Sequence, residues 1–430
     1  MSYKSVSVIG LGYIGLPTAA LIASHMHNVI GVDVNEEVVR SVNAGVLHTV
    51  EPGLADLLGE VVTKGWLRAV TAPESAKVFI IAVPTPITED KKPDLSYVKA
   101  AALSLVPALQ EGVLVILEST SPVGTTEQMS AWLAEARPDL TFPHQAGEGA
   151  DVQIAYCPER ILPGKMLDEL VHNDRVVGGL NDKASAMAVE FYKIFVHGQI
   201  ITTNVRTAEM CKLAENSFRD VNIAFANELS MICDKLDIDV WELIKLANRH
   251  PRVNILQPGC GVGGHCIAVD PWFIVDSMPT AARLIHTARE INDLKSQWVV
   301  DKVKIAIAES LAKQHGKTMA DVTVACFGLA FKADVDDLRE SPATKIVQKI
   351  STLGCRVLVV EPHICSLPTT LKAAGVVLEK MDNVQNASVF CFLIKHRSFN
   401  GIYSSLHSTL CTLDFAGIIY GHQSPENTIS

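Results

Sequence analysis

The sequence predicts an α/β protein in which two doubly wound α/β domains are joined by a central helical domain. Short β-rich runs alternate with helical runs in the first 200 residues, and the same texture returns after residue 320. Such alternation is typical of βαβ units around a parallel sheet. Between them, apolar residues recur at helical spacing. We place the domains at residues 1–205, 206–315 and 316–430, in line with the three domains or so that this length suggests.

The predicted elements follow one another in a simple order. The expected strands are residues 5–9, 29–34, 78–83, 113–117, 153–155 and 200–203 in the first domain, and 322–327, 356–360 and 389–394 in the last. Helical patterns cover residues 207–248 and about 280–314, and the second of these is long enough for a connecting spine or a dimer face.

Composition excludes several classes of protein. Hydrophobic residues make up 48% and charged residues 20%, which indicates a globular core. The net charge of -10, without a basic run, argues against nucleic acid as a partner. The ten cysteines contain no C-x-x-C pair, which argues against a disulfide framework or a zinc site. Reduced thiols in a cytoplasmic protein, with no metal, are the expectation.

A glycine motif follows the first predicted strand. Gly10, Gly12 and Gly15 form G-x-G-x-x-G, and Asp33 ends the next strand. This order predicts a Rossmann-like dinucleotide site, in which the helix N-terminus faces a pyrophosphate and the acid binds the ribose. The carboxylate would repel a 2′-phosphate, so NAD is favoured over NADP. A glycine turn without a ligand is the alternative, and the glycines and Pro17 weaken a signal-peptide or membrane interpretation of the uncharged residues 5–24.

A second glycine-rich loop carries two cysteines, Cys260 and Cys266. Glycines allow the backbone to pass close to a ligand or to adopt positive φ, and loop N–H groups lower the pKa of a thiol. An isolated cysteine is more often inert core, and we expect that of Cys260. Asp270 lies four residues after Cys266 and would share its side if a helix begins at Cys266.

Together these motifs resemble the UDP-glucose/GDP-mannose dehydrogenase family over nearly the whole chain. The matching stretches are the N-terminal glycine motif, Val83–Pro86, Glu118–Thr126, Tyr156–Arg160, Gly261–Phe273, and Gly328–Lys332 leading to Asp336–Pro342. The string Gly261–Phe273 is most similar to the branch that oxidises UDP-N-acetyl-D-mannosamine, with UDP-N-acetylglucosamine or UDP-glucose as alternatives.

The resemblance implies an NAD-dependent oxidation of a UDP-sugar C6 hydroxyl to a carboxylate. Two NAD+ are used per turnover, and the nucleophile Cys266 forms a thiohemiacetal and then a thioester. It also implies a homodimer or a dimer of dimers.

The resemblance assigns the site residue by residue. The implied catalytic residues are Cys266, Lys212, Asn216, Asp270, Glu159 and Thr120; the implied NAD contacts are Gly10, Gly12, Tyr13, Ile14, Gly15, Asp33, Pro84, Thr85 and Thr120; the implied substrate contacts are Arg160, Ile161, Leu162, Lys212, Asn216, Arg252, Gly263, Lys332 and Arg339. Lys212 and Asn216 would stabilise an oxyanion, and Glu159 would assist thioester hydrolysis.

Simpler roles exist for several of these residues. Lys212 could extend to water and Glu159 could be a surface carboxylate. Thr120 could cap the following helix, and Arg339 could pair with Asp336 or Asp337.

One departure concerns the C-terminal region. The family tends to carry a basic residue after a strand-end aspartate, and none follows Asp414. This puts in doubt which residue supplies a late contact to the substrate.

Two other functions remain to be distinguished. A two-electron hydroxyacid dehydrogenase would need no cysteine, and a non-catalytic nucleotide-sugar binder would not need Cys266, Lys212 and Asn216 together.

Overall fold

The computed structural model describes residues 5–47, 51–161, 164–264, 266–313, 316–402 and 411–419. The chain divides into two compact units, Met1–Glu215 with Trp272–Pro279 and Asn216–Pro271 with Thr280–Ser430. Each unit contains its own sheet, which confirms the α/β class and the two Rossmann-like sheets predicted from the sequence.

The first unit is built on an eight-stranded sheet with the order β3-β2-β1-β4-β5-β6-β7-β8. Its strands are β1 (Ser5–Ile9), β2 (Asn28–Val32), β3 (Leu67–Val70), β4 (Val78–Ile81), β5 (Val113–Leu117), β6 (Val152–Tyr156), β7 (Arg175–Gly179) and β8 (Ile200–Asn204). All neighbouring pairs are parallel except β6 with β7. The central strands β4, β5 and β6 are buried along their whole length, as strands covered by helices on both faces must be.

The helices α1 to α8 connect these strands, and α9 follows the last of them. They are α1 (Gly15–Ser24), α2 (Glu36–Asn43), α3 (Leu54–Thr63), α4 (Ser96–Ser104), α5 (Thr125–Ala136), α6 (Pro143–Ala146), α7 (Met166–His172), α8 (Asp182–Tyr192) and α9 (Val205–Lys235). The uncharged residues 5–24 therefore form β1, a turn and α1. No helix in the described part of the chain combines the length and apolarity needed to cross a bilayer.

The second unit contains a five-stranded parallel sheet with the order β11-β10-β9-β12-β13. Its strands are β9 (Thr323–Phe327), β10 (Arg356–Val360), β11 (Val377–Leu378), β12 (Val389–Phe392) and β13 (Cys411–Asp414). The later helices are α10 (Val240–Ala247), α11 (Asp270–Ser277), α12 (Arg283–Ala312), α13 (Pro342–Ser351) and α14 (Thr369–Ala373). The predicted helical stretch 207–248 is thus interrupted after α9, where Asp237 adopts a φ of 54°.

Helix α9 buries an unusual number of polar residues beside small apolar ones, and it exposes several large apolar residues. Its buried polar residues are Glu209, Lys212, Asn216, Ser217, Asp220, Asn227 and Ser230, and its exposed large apolar residues are Met210, Phe218, Phe225 and Ile232. The exposed row Phe218, Phe225 and Ile232 has a seven-residue spacing, which keeps the three side chains on one face.

Candidate active site

The turn between β1 and α1 contains the first glycine motif. Gly10 adopts a φ of 92°, and its N–H donates to the Val32 carbonyl at 2.8 Å. A Cβ on Gly10 would lie 2.6 Å from the Ala82 carbonyl oxygen, and one on Gly15 would lie 1.8 Å from that of Gly10. A Cβ on Gly12 would meet nothing within 4 Å. The fold itself therefore requires Gly10 and Gly15, whereas Gly12 leaves space above the turn for a ligand.

Asp33 closes the same turn from the end of β2. Its Oδ2 accepts the Leu11 N–H at 2.9 Å, and its Oδ1 accepts the Asn35 N–H at 2.9 Å. Tyr13 and Ile14, which precede α1, are half-buried. The carboxylate therefore lies beside the glycine turn, as an acid that binds a ribose must.

The loops after β4 and β5 are tied together by Ser119. Its hydroxyl accepts the Val83 N–H at 3.0 Å and donates to the Val83 carbonyl at 2.7 Å. Pro84 is exposed, and Thr85 carries a buried Oγ1 with no hydrogen-bond partner among the described residues. The orphaned hydroxyl and the open space at Gly12 fit a bound dinucleotide.

Thr120 is half-buried in the loop that follows β5. The alternative that it caps the next helix is wrong, because α5 begins at Thr125 and has Gly124 at its N-cap. Thr120 is therefore not engaged as the cap of α5.

Glu159 follows β6 and is half-buried. It accepts the backbone N–H of Ile161. Burial raises the pKa of the Glu159 carboxyl, while the positive charge of Lys212 opposes that rise. Lys212 is itself buried within α9, so the alternative that it extends to water is wrong. The pair places a carboxyl of raised basicity beside a buried cation.

The segment after Glu159 is held by acidic side chains. Arg160 forms an ion pair with Glu215 at 2.6 Å. The buried Glu51 accepts the N–H groups of Gly164 at 2.7 Å and Met166 at 2.8 Å. Ile161 packs against the core of the first unit, and Leu162 lies outside the described residues. Glu51 could not be found by local sequence patterns, because its partners lie 113 and 115 residues away.

The two cysteines of the glycine-rich loop differ sharply in their surroundings. Cys260 is buried, its Sγ donates to the Leu393 carbonyl at 3.4 Å, and burial raises its pKa to about 12. Cys266 is exposed. Of the two thiols, only that of Cys266 is accessible to a substrate.

A tight turn connects Cys266 to Asp270. The N–H groups of Val269 and Asp270 both donate to the Cys266 carbonyl, at 3.0 and 2.9 Å. The expected helix begins at Asp270 rather than at Cys266, one turn later. Asp270 is buried and accepts a hydrogen bond of 2.5 Å from the Asn216 side-chain amide.

The glycines of this loop serve packing within the second unit. A Cβ on Gly263 would lie 2.6 Å from Pro342 Cδ and 2.8 Å from the Glu340 carbonyl oxygen. Gly261 adopts a φ of 128°, and its Cβ would lie 2.9 Å from the Asn292 carbonyl oxygen. Any side chain at these positions would displace the loop that carries Cys266.

The turn after β9 repeats the geometry of the turn after β1. Gly328 adopts a φ of 92°, and its N–H donates to Val360 O at 2.9 Å. Glu361 takes the place of Asp33, and its carboxylate accepts the Leu329 N–H at 2.7 Å. The second sheet therefore presents a second nucleotide-type turn.

Three basic residues predicted to bind substrate lie in the second unit. Lys332 is half-buried, with its Nζ 5.6 Å from the centre of the Phe331 ring. Arg339 forms an ion pair with Asp337 at 2.6 Å, which confirms one of the alternatives open from the sequence. Arg252 is exposed.

The loop after β13, which departs from the family pattern, has a different source of positive charge. Asp414 accepts the N–H groups of Ala416, Gly417 and Ile419. Lys395, which follows β12, donates its ammonium group to the Gly417 carbonyl at 2.7 Å. A cation therefore reaches this loop from a neighbouring strand rather than from the residue after Asp414.

One cluster has the composition of a metal site. Ligand atoms of Asp334, His363 and His396 lie within 4.8 Å of one another. His396 Nδ1 accepts the Asp334 N–H at 2.9 Å, so Nε2 carries the proton and donates to Glu361 at 3.1 Å. The Asp334 carboxylate is paired with Arg397. His396 has no lone pair left for a cation, and the cluster is better explained as a hydrogen-bond network.

Two nucleotide-type turns and a loop with an accessible thiol define a class of nucleotide-dependent enzyme. Models of the UDP-glucose/GDP-mannose dehydrogenase family match residues 4–196 as the NAD binding domain, 206–294 as the central domain and 325–419 as the UDP binding domain. The chain belongs to this family. It is an NAD-dependent UDP-sugar dehydrogenase, an oxidoreductase.

Two named relatives and one solved structure are similar to this chain over nearly its whole length. The UDP-N-acetyl-D-mannosamine dehydrogenase of Yersinia pestis is 59% identical over 403 residues, which cover 94% of this chain and 96% of that protein. The NDP-N-acetyl-D-galactosaminuronic acid dehydrogenase of Ralstonia solanacearum is 54% identical over 420 residues, 97% of each chain. The solved structure of the UDP-D-ManNAc dehydrogenase of Pyrococcus horikoshii has a TM-score of 0.86 at 36% identity and covers 99% of this chain and 98% of its own.

Proposed function

We propose that this enzyme oxidises the C6 hydroxyl of UDP-N-acetyl-D-mannosamine to the carboxylate, giving UDP-N-acetyl-D-mannosaminuronate. The name of the Yersinia pestis relative supports this substrate. The name of the Ralstonia relative shows that a different N-acetylated sugar occurs at 54% identity. The sequence left UDP-N-acetylglucosamine and UDP-glucose open as alternatives, so these are the substrates to test against UDP-N-acetyl-D-mannosamine.

The observation that carries the mechanism is the accessible thiol of Cys266. Bound NAD+ supplies a hydride acceptor, and two are consumed because alcohol to carboxylate is a four-electron oxidation. Oxidation of the alcohol releases a hydride and a proton, and the Cys266 sulfur then bonds to the aldehyde carbon as a thiohemiacetal. Loss of a second hydride and proton gives a thioester. Water cleaves the carbon–sulfur bond, which frees the thiol, the carboxylate and a third proton.

We assign the remaining catalytic roles from the family resemblance, and charge and burial support those of Lys212, Asn216 and Glu159. Lys212 and Asn216 supply a cation and an amide donor for the oxyanion that develops at C6. The raised pKa of Glu159 makes it a stronger base than an exposed glutamate, which suits activation of water against the thioester. Thr120 and Asp270 position that water and assist proton transfer.

The residues proposed to bind the UDP-sugar are those that the family resemblance implies. We assign Arg160, Ile161, Leu162, Lys212, Asn216, Arg252, Gly263, Lys332 and Arg339 to the substrate, with Arg252 reaching the site of a partner subunit. Arg160 and Arg339 each hold a carboxylate in this structure, so each would exchange that partner for substrate oxygen. We also propose the division of the chain into three domains at residues 1–205, 206–315 and 316–430.

The decisive experiment measures NADH formed per sugar oxidised, for the three UDP-sugars in parallel. We expect two NADH per UDP-N-acetyl-D-mannosamine in the native enzyme and none in Cys266→Ser. Cys365 is another exposed cysteine and provides the matched control, since Cys365→Ser should retain both oxidations. Full activity of Cys266→Ser, with one NADH per sugar, would instead indicate a two-electron dehydrogenase without a covalent intermediate.

We also propose a homodimer that pairs the exposed apolar face of α9. Phe218 and Phe225 are 70% and 53% exposed, and aromatic side chains are enriched at protein–protein interfaces. The sequence favoured the later long helix α12, whose exposed Leu284 provides a matched control. Sedimentation should give a dimer or a dimer of dimers, reduced to monomers by Phe225→Glu and unaffected by Leu284→Glu.

The cysteines bear on the cellular location. All ten are free thiols, and eight of them are buried or half-buried. Free thiols at this number favour a reducing compartment, so we place the enzyme in the cytoplasm.

A further inference from the structure

The part of α9 that belongs to the second unit buries several polar side chains. Asn216, Asp220 and Asn227 are spaced by four and seven residues, so they lie on one face of the helix. All three are at most 9% exposed. Polar groups at such depth destabilise a protein unless they are hydrogen-bonded, so their partners show what they do.

Asn227 binds the start of the loop that carries Cys266. Its side-chain oxygen accepts the Gly259 N–H at 2.9 Å. Its amide nitrogen donates to Asn292 Oδ1 at 2.9 Å. The Gly259 N–H can only donate, which fixes the orientation of the Asn227 amide.

A buried ion pair is linked to this contact through Asn292. The Asn292 amide donates to Asp220 Oδ1 at 2.8 Å, and Asp220 also accepts from Arg289 at 2.6 Å. Arg289, Asp220, Asn292 and Asn227 are all at most 1% exposed. Because each member is held by the next, Asn227 has little freedom to release Gly259.

The same helix holds the other end of the loop. The Asn216 amide donates to Asp270, whose N–H closes the turn onto the Cys266 carbonyl. Asn216 and Asn227 are eleven residues apart on α9, which corresponds to about 16 Å along the helix axis. One rigid element therefore fixes both ends of the segment 259–270.

We infer that Asn227 is a positioning residue for Cys266. The inference rests on the proposed role of Cys266 as the nucleophile. The segment contains four glycines, Gly259, Gly261, Gly263 and Gly264. If only the Asp270 end of the segment were held, the conformational freedom of these glycines would allow the Cys266 thiol to occupy several positions. Asn227 removes that freedom at the Gly259 end, so its loss should slow the chemical steps more than it weakens binding.

The test compares Asn227→Leu, which is close in volume and loses both hydrogen bonds, with Ser217→Ala. Ser217 is buried on the same helix, and its hydroxyl has no partner among the described residues. In Asn227→Leu we expect kcat to fall by about a hundredfold. The KM for the UDP-sugar and the Kd for NAD should change less than threefold or so. The rate of Cys266 alkylation by iodoacetamide, and its pH profile, should change as well, whereas Ser217→Ala should match the native enzyme.

A second variant separates positioning from stability. In Asn227→Asp, the protonated acid can still accept from Gly259 and donate to Asn292, whereas the carboxylate cannot donate. Its kcat relative to the native enzyme should therefore be highest at low pH and fall as the pH rises. This variant decides the question alone if Asn227→Leu does not fold.

Three results would overturn the inference. They are a native kcat in Asn227→Leu with only a lower Tm, an equal loss in Ser217→Ala, or a flat ratio across pH in Asn227→Asp. Failure of the proposed function looks different, because Cys266→Ser would then keep its activity whatever happens at Asn227.

Discussion

Replacing Gly12 by alanine separates a glycine that a ligand requires from glycines that the fold requires. An ideal Cβ on Gly12 meets nothing within 4 Å, and its φ lies outside the left-handed region. We therefore expect Gly12→Ala to change the free energy of unfolding by less than about 0.5 kcal/mol. Against bound NAD, the new methyl group occupies the space where the backbone approaches the pyrophosphate. We expect the Kd for NAD to rise at least tenfold, or about 1.4 kcal/mol.

Substitutions at two other glycines serve as reference variants for Gly12→Ala. In Gly15→Ala the Cβ would lie 1.8 Å from the Gly10 carbonyl oxygen, an overlap of backbone atoms that no rotamer relieves. The expected loss of stability is about 3 kcal/mol or more. Gly59 lies inside α3 with nothing within 4 Å of its Cβ, so Gly59→Ala should stabilise the protein by up to about 1 kcal/mol and leave NAD binding unchanged.

Isothermal titration with NAD and urea denaturation of the same three variants provide the assay. Native-like NAD affinity in Gly12→Ala would show that the pyrophosphate does not approach this turn. Destabilisation of Gly12→Ala to the level of Gly15→Ala would refute the distinction between packing and ligand glycines.

Two further predictions concern single charges. Burial lowers the pKa of Lys295 from 10.5 to about 8, so below pH 8 the native state holds a buried cation at a cost of about 3 kcal/mol. Between these values the unfolded chain binds the extra proton and stability rises with pH, so in urea denaturation Lys295→Met should gain most over the native protein at pH 7 and least at pH 10. Asp33→Asn should lower the KM for NADP relative to that for NAD; an unchanged ratio in steady-state kinetics would contradict the ribose assignment.

Local patterns predicted the elements whose causes are local. Residues 5–9, 113–117 and 356–360 are β1, β5 and β10 without a shift, because runs of Val, Ile and Leu between turns specify buried parallel strands. The turn at Gly10 was predicted for the same reason, since glycine spacing and the following acid lie within one βαβ unit.

Strand β7 was missed because its composition is poor for a strand. It begins with the buried Arg175 and ends with Gly178 and Gly179. A Cβ on Gly178 would lie 2.7 Å from Val205 Cα, and one on Gly179 would lie 2.4 Å from the Ser185 nitrogen. Glycine lowers strand propensity, yet here the close approach of α8 and α9 demands it. Strands β3 and β11 were also missed, and β13 was anticipated only through the strand-end Asp414.

The site was predictable where residues cluster in sequence and hidden where partners are distant. Cys266 and Asp270 lie in one motif, whereas Asn227 reaches Gly259 across 32 residues and Glu51 reaches Gly164 across 113. A single asparagine on a helix has no local signature that distinguishes an anchor from a solvated side chain.

The buried polar residues and exposed aromatic residues of α9 follow from two demands on one helix. A hydrophobic face inward would bury Phe218 and Phe225 but would leave the loop at Gly259 and the turn at Asp270 without partners. Buried amides satisfy those groups, and the hydrogen bonds offset the loss of water. The apolar residues are then left outside, where only another surface can cover them. The two faces should therefore be separable: Phe225→Glu should alter assembly and leave the pH profile of Cys266 alkylation intact, whereas Asn227→Leu should alter that profile within an intact dimer.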